Sequence, residues 1–208
     1  MMKIHRVQQL NQELFARMAA GFEPTEAVLT VALWLSRNGV WLALIGIVWA
    51  AWRFQGQRRF LLSVVLLCGV ATIVSHGIAN MANSPRPFML GLSPHYLAHS
   101  ARAGFPSAHS AAMWCLAFAC FQQNDLRTLG WWLCVCAATT TWARVYSGAH
   151  FPLDIAAGML LAAFLALCFK LARWTAQTLG SSARAFLHPG CATEASVRQH
   201  PQQRPERS

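Results

Sequence analysis

Three short segments of this chain carry residue types that can bind a phosphate and transfer it. Between them they supply Arg86, Ser107, His109, Arg144, His150 and Asp154, in the sequences Pro85-Arg86-Pro87, Pro106-Ser107-Ala108-His109 and Arg144-Val-Tyr-Ser-Gly-Ala-His150-Phe-Pro-Leu-Asp154. Guanidinium groups match phosphoryl oxygens in bidentate geometry, and an imidazole can act as a nucleophile or as a proton donor. The inventory predicts phosphoryl transfer through a histidine.

The third segment predicts a histidine that is oriented by a carboxylate. Pro152 marks the start of a helix, so His150 lies in extended chain just before it. Asp154, one turn later, can accept a hydrogen bond from one ring nitrogen of His150. That bond fixes the tautomer and leaves the other nitrogen able to attack.

The second segment predicts an anion site at a helix N-terminus. Pro106 suits the first turn of a helix. Ser107 and the amide of Ala108 then lie where free N–H groups and the helix dipole favour an anion. His109 lies in the same turn and can protonate a leaving oxygen.

The arginines near these segments have few acids to neutralise them. Between residues 27 and 193 the chain has two acids, of which Asp154 is one. Because an uncompensated Arg beside a bilayer is costly and indicates function, Arg86, Arg102 and Arg144 are expected to meet a phosphoanion. For Arg102 two interpretations stay open, a contact with the distal phosphate of a diphosphate and a solvated position in a loop.

Composition places these segments in a membrane protein. Of the 208 residues, 55% are hydrophobic and 12% are charged, whereas soluble domains carry about 25% charged residues. The net charge is +10, and the basic residues flank apolar runs, as cytoplasmic loops beside anionic lipid do. No nucleic-acid motif accompanies this charge, so no nucleic-acid partner is expected. The seven Cys show neither metal nor disulfide spacing.

Hydropathy predicts an all-α fold, a polytopic membrane bundle of five or six transmembrane helices. Apolar runs with lengths that suit a bilayer lie at residues 27–52, 60–83, 107–121, 128–146 and 151–172. The first run is interrupted by Ser36-Arg37-Asn38-Gly39, and it is either one tilted span or two short segments.

The two ends of the chain differ from this bundle. Residues 7–19 predict an amphipathic helix in the membrane interface, with one apolar face formed by Val7, Leu10, Leu14 and Met18. Residues 1–175 are expected to be a single membrane domain whose motifs lie in a core from 60 to 172. Residues 176–208 are polar and predict a disordered cytoplasmic tail.

The short loops predict the orientation in the membrane. Basic residues cluster beside the first long run and after the last, at Arg53, Arg58, Arg59, Lys170 and Arg173, and the positive-inside rule assigns such ends to the cytoplasm. The opposite helix ends carry Arg86, His109 and His150. All three segments therefore share the outer face.

On these segments the chain resembles the type 2 phosphatidic-acid phosphatase superfamily. The family pattern is Lys-x6-Arg-Pro, then Pro-Ser-Gly-His, then Ser-Arg-x5-His-x3-Asp, and its counterpart here covers roughly residues 60 to 172. Ala79, Ala108 and Ala143 stand where the pattern has Lys, Gly and the second Ser. The layout is similar to the bacitracin-resistance type of undecaprenyl-pyrophosphate phosphatase, which also lacks that Lys.

The resemblance implies a role for each site residue. His150 is the nucleophile that forms a phosphohistidine, Asp154 orients it, and His109 is the general acid. The groups that hold the phosphoryl oxygens are Arg86, Arg144, Ser107 and the amide of Ala108. No metal and no other cofactor is implied.

The resemblance also implies a substrate and a location. The expected reaction is hydrolysis of undecaprenyl pyrophosphate to the monophosphate, in a bacterial inner membrane, at a site facing the periplasm or exterior. A phosphatase of phosphatidic acid, phosphatidylglycerophosphate or lipid A would use the same residues, as would a lipid phosphotransferase. A transporter is less well supported, because the chain shows no internal repeat and its polar residues lie at one membrane face.

A polar stripe leads to the first segment, at His76, Asn80 and Asn83. These residues are spaced by four and three, so they share one helical face. Two interpretations stay open. Either the stripe replaces the Lys that is missing at Ala79, with Asn83 as a further phosphate contact, or it forms hydrogen bonds between helices.

Overall fold

A computed structural model describes residues 2–97 and 103–187, with side chains for residues 5–97 and 103–179. The α-helices in these ranges are α1 (Met2–Met18), α2 (Glu26–Arg53), α3 (Arg58–Ala82), α4 (Ala108–Cys120), α5 (Arg127–Tyr146) and α6 (Pro152–Leu187). Short 3-10 helices lie at Gln55–Gln57, Pro87–Leu90 and Asn124–Leu126, and the described ranges contain no strand. The all-α prediction is confirmed.

Several helices are suited to a bilayer. Three described segments are long and apolar enough to cross a membrane, namely Glu26–Arg53, Gln55–Leu90 and Pro152–Leu179, and α4 is a shorter apolar helix. Large apolar side chains face outwards from them, including Trp41, Ile45, Ile73 and Leu160. An apolar surface of this extent belongs in lipid. The run at 27–52 is one continuous helix, not two segments.

Small residues form the contacts between helices. Helix α2 lies beside α5, and α4 lies between α3 and α5. The largest buried cluster joins these four helices and includes Ala43, Val64, Ala117 and Ala137. A second cluster joins α3, α4 and α6 through Ala71, Ala111, Cys115 and Ala162. Small side chains let helix backbones approach closely, which supplies much of the packing energy in membrane bundles.

Helix α1 contacts the bundle through Phe15 and Asn11. The Phe15 ring packs edge-to-face on the Phe151 ring, with centroids 5.3 Å apart, and the Asn11 side-chain oxygen accepts a bond from the Leu153 amide at 3.0 Å. The predicted apolar face of α1 is exposed at Val7, Leu10, Leu14 and Met18. Its position in the membrane interface stays a prediction.

The end of the chain departs from the sequence prediction. The described chain divides into two compact units, with the boundary between Phe169 and Lys170. Helix α6 runs on to Leu187, so the prediction of disorder from residue 176 is wrong for residues 176–187. The physical reason is that this stretch contains three Ala and two Leu, which favour helix. Residues 188–208 lie outside the described ranges.

Candidate active site

The three sequence segments meet at one cavity of about 510 Å³. Its lining includes five of the residues predicted for the site, which are Arg86, Ala108, His109, Arg144 and His150. Asp154 lies behind His150, and each is buried, with 3% and 2% of its surface exposed. The loop after α3, the start of α4, the end of α5 and the start of α6 all contribute to this point.

The two ring nitrogens of His150 have different partners. Nε2 lies 2.9 Å from Nη1 of Arg86, and Nδ1 lies 3.4 Å from Oδ2 of Asp154. A guanidinium has donors and no acceptor, so Nε2 faces Arg86 as an acceptor. This contact assigns the ring proton to Nδ1, on the side of the Asp154 carboxylate, and the lone pair of Nε2 to the side of Arg86 and the cavity.

Asp154 is held by the backbone around it. Its Oδ2 accepts a hydrogen bond from the Phe151 amide at 2.9 Å, so the carboxylate reaches back to the residue that precedes α6, as in a capping box. Its carbonyl oxygen accepts a bond from the Ser107 amide at 3.0 Å. These bonds attach the start of α6 to the start of α4, and with them the two catalytic candidates His150 and His109.

Arg86 is fixed by main-chain oxygens from two segments. Nη1 donates to the Ala149 carbonyl at 3.0 Å, and Nη2 lies 3.4 Å from the Ala103 carbonyl. The chain passes close over the arginine at Gly104, where a Cβ would lie 3.0 Å from Cγ of Arg86 and 3.3 Å from Oδ2 of Asp154. These contacts direct the guanidinium at the cavity.

Arg144 is buried, with 2% of its surface exposed, and it contacts a helix that the sequence motifs do not include. Its Nη1 lies 3.4 Å from both the carbonyl oxygen and Oγ of Ser36 on α2. A Cβ at Gly39 would overlap the hydroxyl oxygen of Thr140, so α2 and α5 are in close contact one turn away. Sequence reasoning missed Ser36, because it belongs to no motif and its only signal was a polar break in an apolar run.

The start of α4 is organised differently from the sequence prediction. Ser107 is fully buried and caps the helix, since its Oγ accepts a bond from the Ser110 amide at 3.4 Å. It is not part of the cavity lining, whereas Ala108 and His109 are. The Ala108 amide at the start of this turn can therefore meet an anion, while the Ser107 side chain shapes the turn.

The remaining predicted residues have separate outcomes. Asn83 is exposed at the end of α3, with a left-handed φ of 44°, and does not line the cavity. Its neighbours in the polar stripe, His76 and Asn80, do line it. Arg102 lies outside the described residues. Within the described ranges, no three His, Cys, Asp or Glu side chains are grouped as metal ligands would be.

The profile of the PAP2 superfamily matches residues 60–178, which is more than half of the chain. The chain belongs to this superfamily. The match covers all three segments and α3 to α6, so the expected resemblance is confirmed. PAP2 membership makes the chain a membrane lipid phosphatase by family.

Three relatives are similar to this chain over more than two thirds of its length. The chain is 27% identical over 157 residues to YbjG of Escherichia coli K12, provisionally named an undecaprenyl-diphosphatase, covering 74% of this chain and 78% of the relative. It is 24% identical over 162 residues to the undecaprenyl-diphosphatase BcrC of Bacillus subtilis, covering 77% and 82%. It is 30% identical over 148 residues to the Bacillus licheniformis protein named bacitracin transport permease BcrC, covering 71% and 68%.

Two solved PAP2-type structures share the fold. LpxE of Aquifex aeolicus superposes with a TM-score of 0.63 at 20% identity, covering 76% of this chain and 93% of that one. The phosphatidylglycerolphosphate phosphatase of Bacillus subtilis gives a TM-score of 0.60 at 20% identity, covering 80% and 87%. At this identity the likeness concerns the fold alone.

Proposed function

We propose that this PAP2 protein hydrolyses undecaprenyl diphosphate to the monophosphate and inorganic phosphate through a phosphohistidine. The observation that carries the proposal is the Asp154–His150–Arg86 arrangement, with distances of 3.4 Å and 2.9 Å on the two sides of the ring. It gives the cavity an unprotonated imidazole nitrogen beside a cation that binds phosphate.

In the first step, the lone pair of His150 Nε2 forms a bond to the terminal phosphorus. The bond from that phosphorus to the bridging oxygen breaks, and protonated His109 gives its proton to that oxygen. Arg86 transfers its hydrogen bond from Nε2 to the phosphoryl oxygens, where Arg144 and the first amides of α4 add positive charge. Asp154 stabilises the positive ring that results at His150.

In the second step, water attacks the phosphohistidine. His109 takes a proton from the water, the N–P bond breaks, and inorganic phosphate leaves. Both histidines return to their starting protonation states, so the cycle is complete. Every side chain that this route needs belongs to the chain itself.

Among the candidate substrates we favour the diphosphate, because two of the relatives carry the name undecaprenyl-diphosphatase. The permease name of the third relative suggests transport instead, but a transport path has no need of a histidine oriented by a buried carboxylate. Phosphatidic acid, phosphatidylglycerophosphate and lipid A remain the other substrates that the same residues could serve.

The proposed location is the bacterial inner membrane, with the cavity at the outer face. Arg53, Arg58 and Arg59 lie at the α2–α3 connection, which is the end of α3 remote from Arg86. The positive-inside rule puts that connection in the cytoplasm, and the lipid substrate reaches the cavity from the bilayer.

The test is phosphate release by purified protein in detergent, without added metal, from undecaprenyl diphosphate, phosphatidic acid and phosphatidylglycerophosphate in parallel. We expect the diphosphate to give the highest kcat/KM. Diphosphate labelled in its terminal phosphate should leave acid-labile label on the wild-type protein and none on His150→Ala, while the control His5→Ala, on α1, keeps wild-type activity.

The outcomes separate the alternatives. Preference for a monophosphate lipid would move the protein to phospholipid metabolism and reject the proposed substrate. Passage of label to a second lipid instead of water would identify a phosphotransferase. Full activity of a folded His150→Ala protein would reject the phosphohistidine.

A further inference from the structure

Helix α3 contributes a continuous stripe to the cavity lining, formed by Cys68, Thr72, His76, Ala79 and Asn80. The spacing of four, four, three and one places all five on one face of the helix. From Cys68 to Asn80 the stripe extends for about 18 Å at 1.5 Å per residue. A cavity of that length holds more than the single phosphate that reacts at His150.

The stripe changes character along its length. Its inner end is apolar at Cys68. The Thr72 hydroxyl donates a hydrogen bond to the Cys68 carbonyl at 3.0 Å, so Thr72 presents its methyl group to the cavity. At its outer end His76 and Asn80 present an imidazole and an amide. The polar end is the end of α3 that leads into Arg86.

His76 and Asn80 are not used to join helices. Both side chains are exposed. Neither side chain makes a hydrogen bond to another residue in the part of the chain that the structure describes. The interpretation of the stripe as interhelical hydrogen bonding is thus not supported at these two positions. Polar groups on an otherwise apolar membrane helix mark substrate paths more often than lipid contacts.

We propose that His76 and Asn80 form a binding site for the phosphate that stays on the lipid when a diphosphate is cleaved. This inference rests on the proposed function and deepens it, since it assigns the residues that select diphosphate over monophosphate. The reacting phosphate meets His150, Arg86 and Arg144. The second phosphate then lies on the side of the leaving group.

The chemistry of the leaving group gives such a site its purpose. When the bridging bond breaks, the departing group of a diphosphate is a lipid monophosphate, whose oxygens carry more negative charge than before. N–H donors from an imidazole and an amide stabilise that charge. A lipid monophosphate substrate has no phosphate at this place, so the same donors contribute nothing to its binding. Ala79, between the two donors in sequence, leaves the space open.

The test compares two non-hydrolysable lipids that share one isoprenoid chain, a methylenediphosphonate and a monophosphonate. Their Kd values are measured on the detergent-solubilised protein by tryptophan fluorescence, which the nine Trp make practical. We expect His76→Ala and Asn80→Ala each to weaken diphosphonate binding about tenfold, as loss of a hydrogen bond to a charged group does. Monophosphonate binding should stay within about twofold, because its contacts are at Arg86 and Arg144.

Two further variants sharpen the comparison. Asn80→Asp keeps the shape and replaces the donor by a negative charge, so it should weaken diphosphonate binding more than Asn80→Ala does. Ile73→Ala, on α3 but outside the cavity lining, should leave the ratio of the two Kd values unchanged.

Two results would overturn the assignment. One is that neither Kd changes in His76→Ala and Asn80→Ala. The other is that both variants lose equal affinity for the diphosphonate and the monophosphonate, which would mean that α3 has moved. Failure of the proposed function is seen separately, as wild-type protein that releases no phosphate from undecaprenyl diphosphate.

Discussion

At the scale of single residues, the site depends on the groups that hold its side chains in place. Oδ2 of Asp154 lies 3.4 Å from Nδ1 of His150, where the proposed mechanism needs it to set the tautomer, and Arg86 is held by the carbonyls of Ala149 and Ala103. Hydrogen bonds inside a dry site lose little to reorganisation when charge develops, because their donors and acceptors are already in place. Phosphate binding by the arginines therefore depends on the groups that position them as well as on their charge.

Ser36 is the support that can be removed with the least disturbance. Ser36→Ala deletes the hydroxyl near Nη1 of Arg144 and leaves the carbonyl contact intact. We expect kcat/KM for phosphate release to fall about tenfold, as loss of one hydrogen bond to a charged group does, with Ser36→Thr restoring part of it. Ser63→Ala, which removes an exposed hydroxyl on α3, should leave kcat/KM unchanged. An unaltered kcat/KM in Ser36→Ala would show that α2 does not support Arg144.

At the scale of elements, the site depends on how closely helices approach. Helix α6 passes α4 at Gly158, where a Cβ would lie 2.7 Å from the Ser107 carbonyl oxygen and 2.8 Å from Cβ of Ser110. Ser110 also donates its hydroxyl to the Ile155 carbonyl at 2.8 Å. The Ser107 carbonyl oxygen and the Ala111 amide nitrogen are backbone atoms, and Cβ of Ser110 is fixed to the backbone, so no flexible group can move aside and only glycine allows this contact.

Gly158→Ala should separate α4 from α6 and so move His109 away from His150. We expect a loss of about 1–3 kcal/mol of stability, as overpacking gives, and a loss of phosphate release larger than instability alone explains. Gly69→Ala is the matched control, because a Cβ there meets nothing within 4 Å and alanine favours helix. Thermal unfolding in detergent and kcat/KM measure both effects. A Gly158→Ala protein with wild-type values would mean that the two helices can part without consequence.

At the scale of the whole molecule, the order and type of the helices could be predicted from sequence, because each apolar run is local and bilayer thickness sets its length. The residues around His150 were predictable for the same reason, since Asp154 follows one turn later. The partner of Arg144 was not, because periodicity gives a helix its faces but does not say which helix lies beside which. Composition also misled at residues 176–187, where Ala and Leu among the polar residues continue α6.

Orientation is the whole-molecule property on which the proposed role rests, because an outer site requires Arg86 and His150 to lie away from the basic α2–α3 connection. The test uses a protein whose seven Cys are replaced by Ala. We expect a membrane-impermeant maleimide to label Met89→Cys in intact spheroplasts, since Met89 is 43% exposed and lies three residues after Arg86. Gln55→Cys, at the basic connection, should be labelled only after lysis. Lysed cells, in which both react, provide the control. The opposite pattern would put the cavity on the cytoplasmic side, where it would meet lipid diphosphate before export instead of after it.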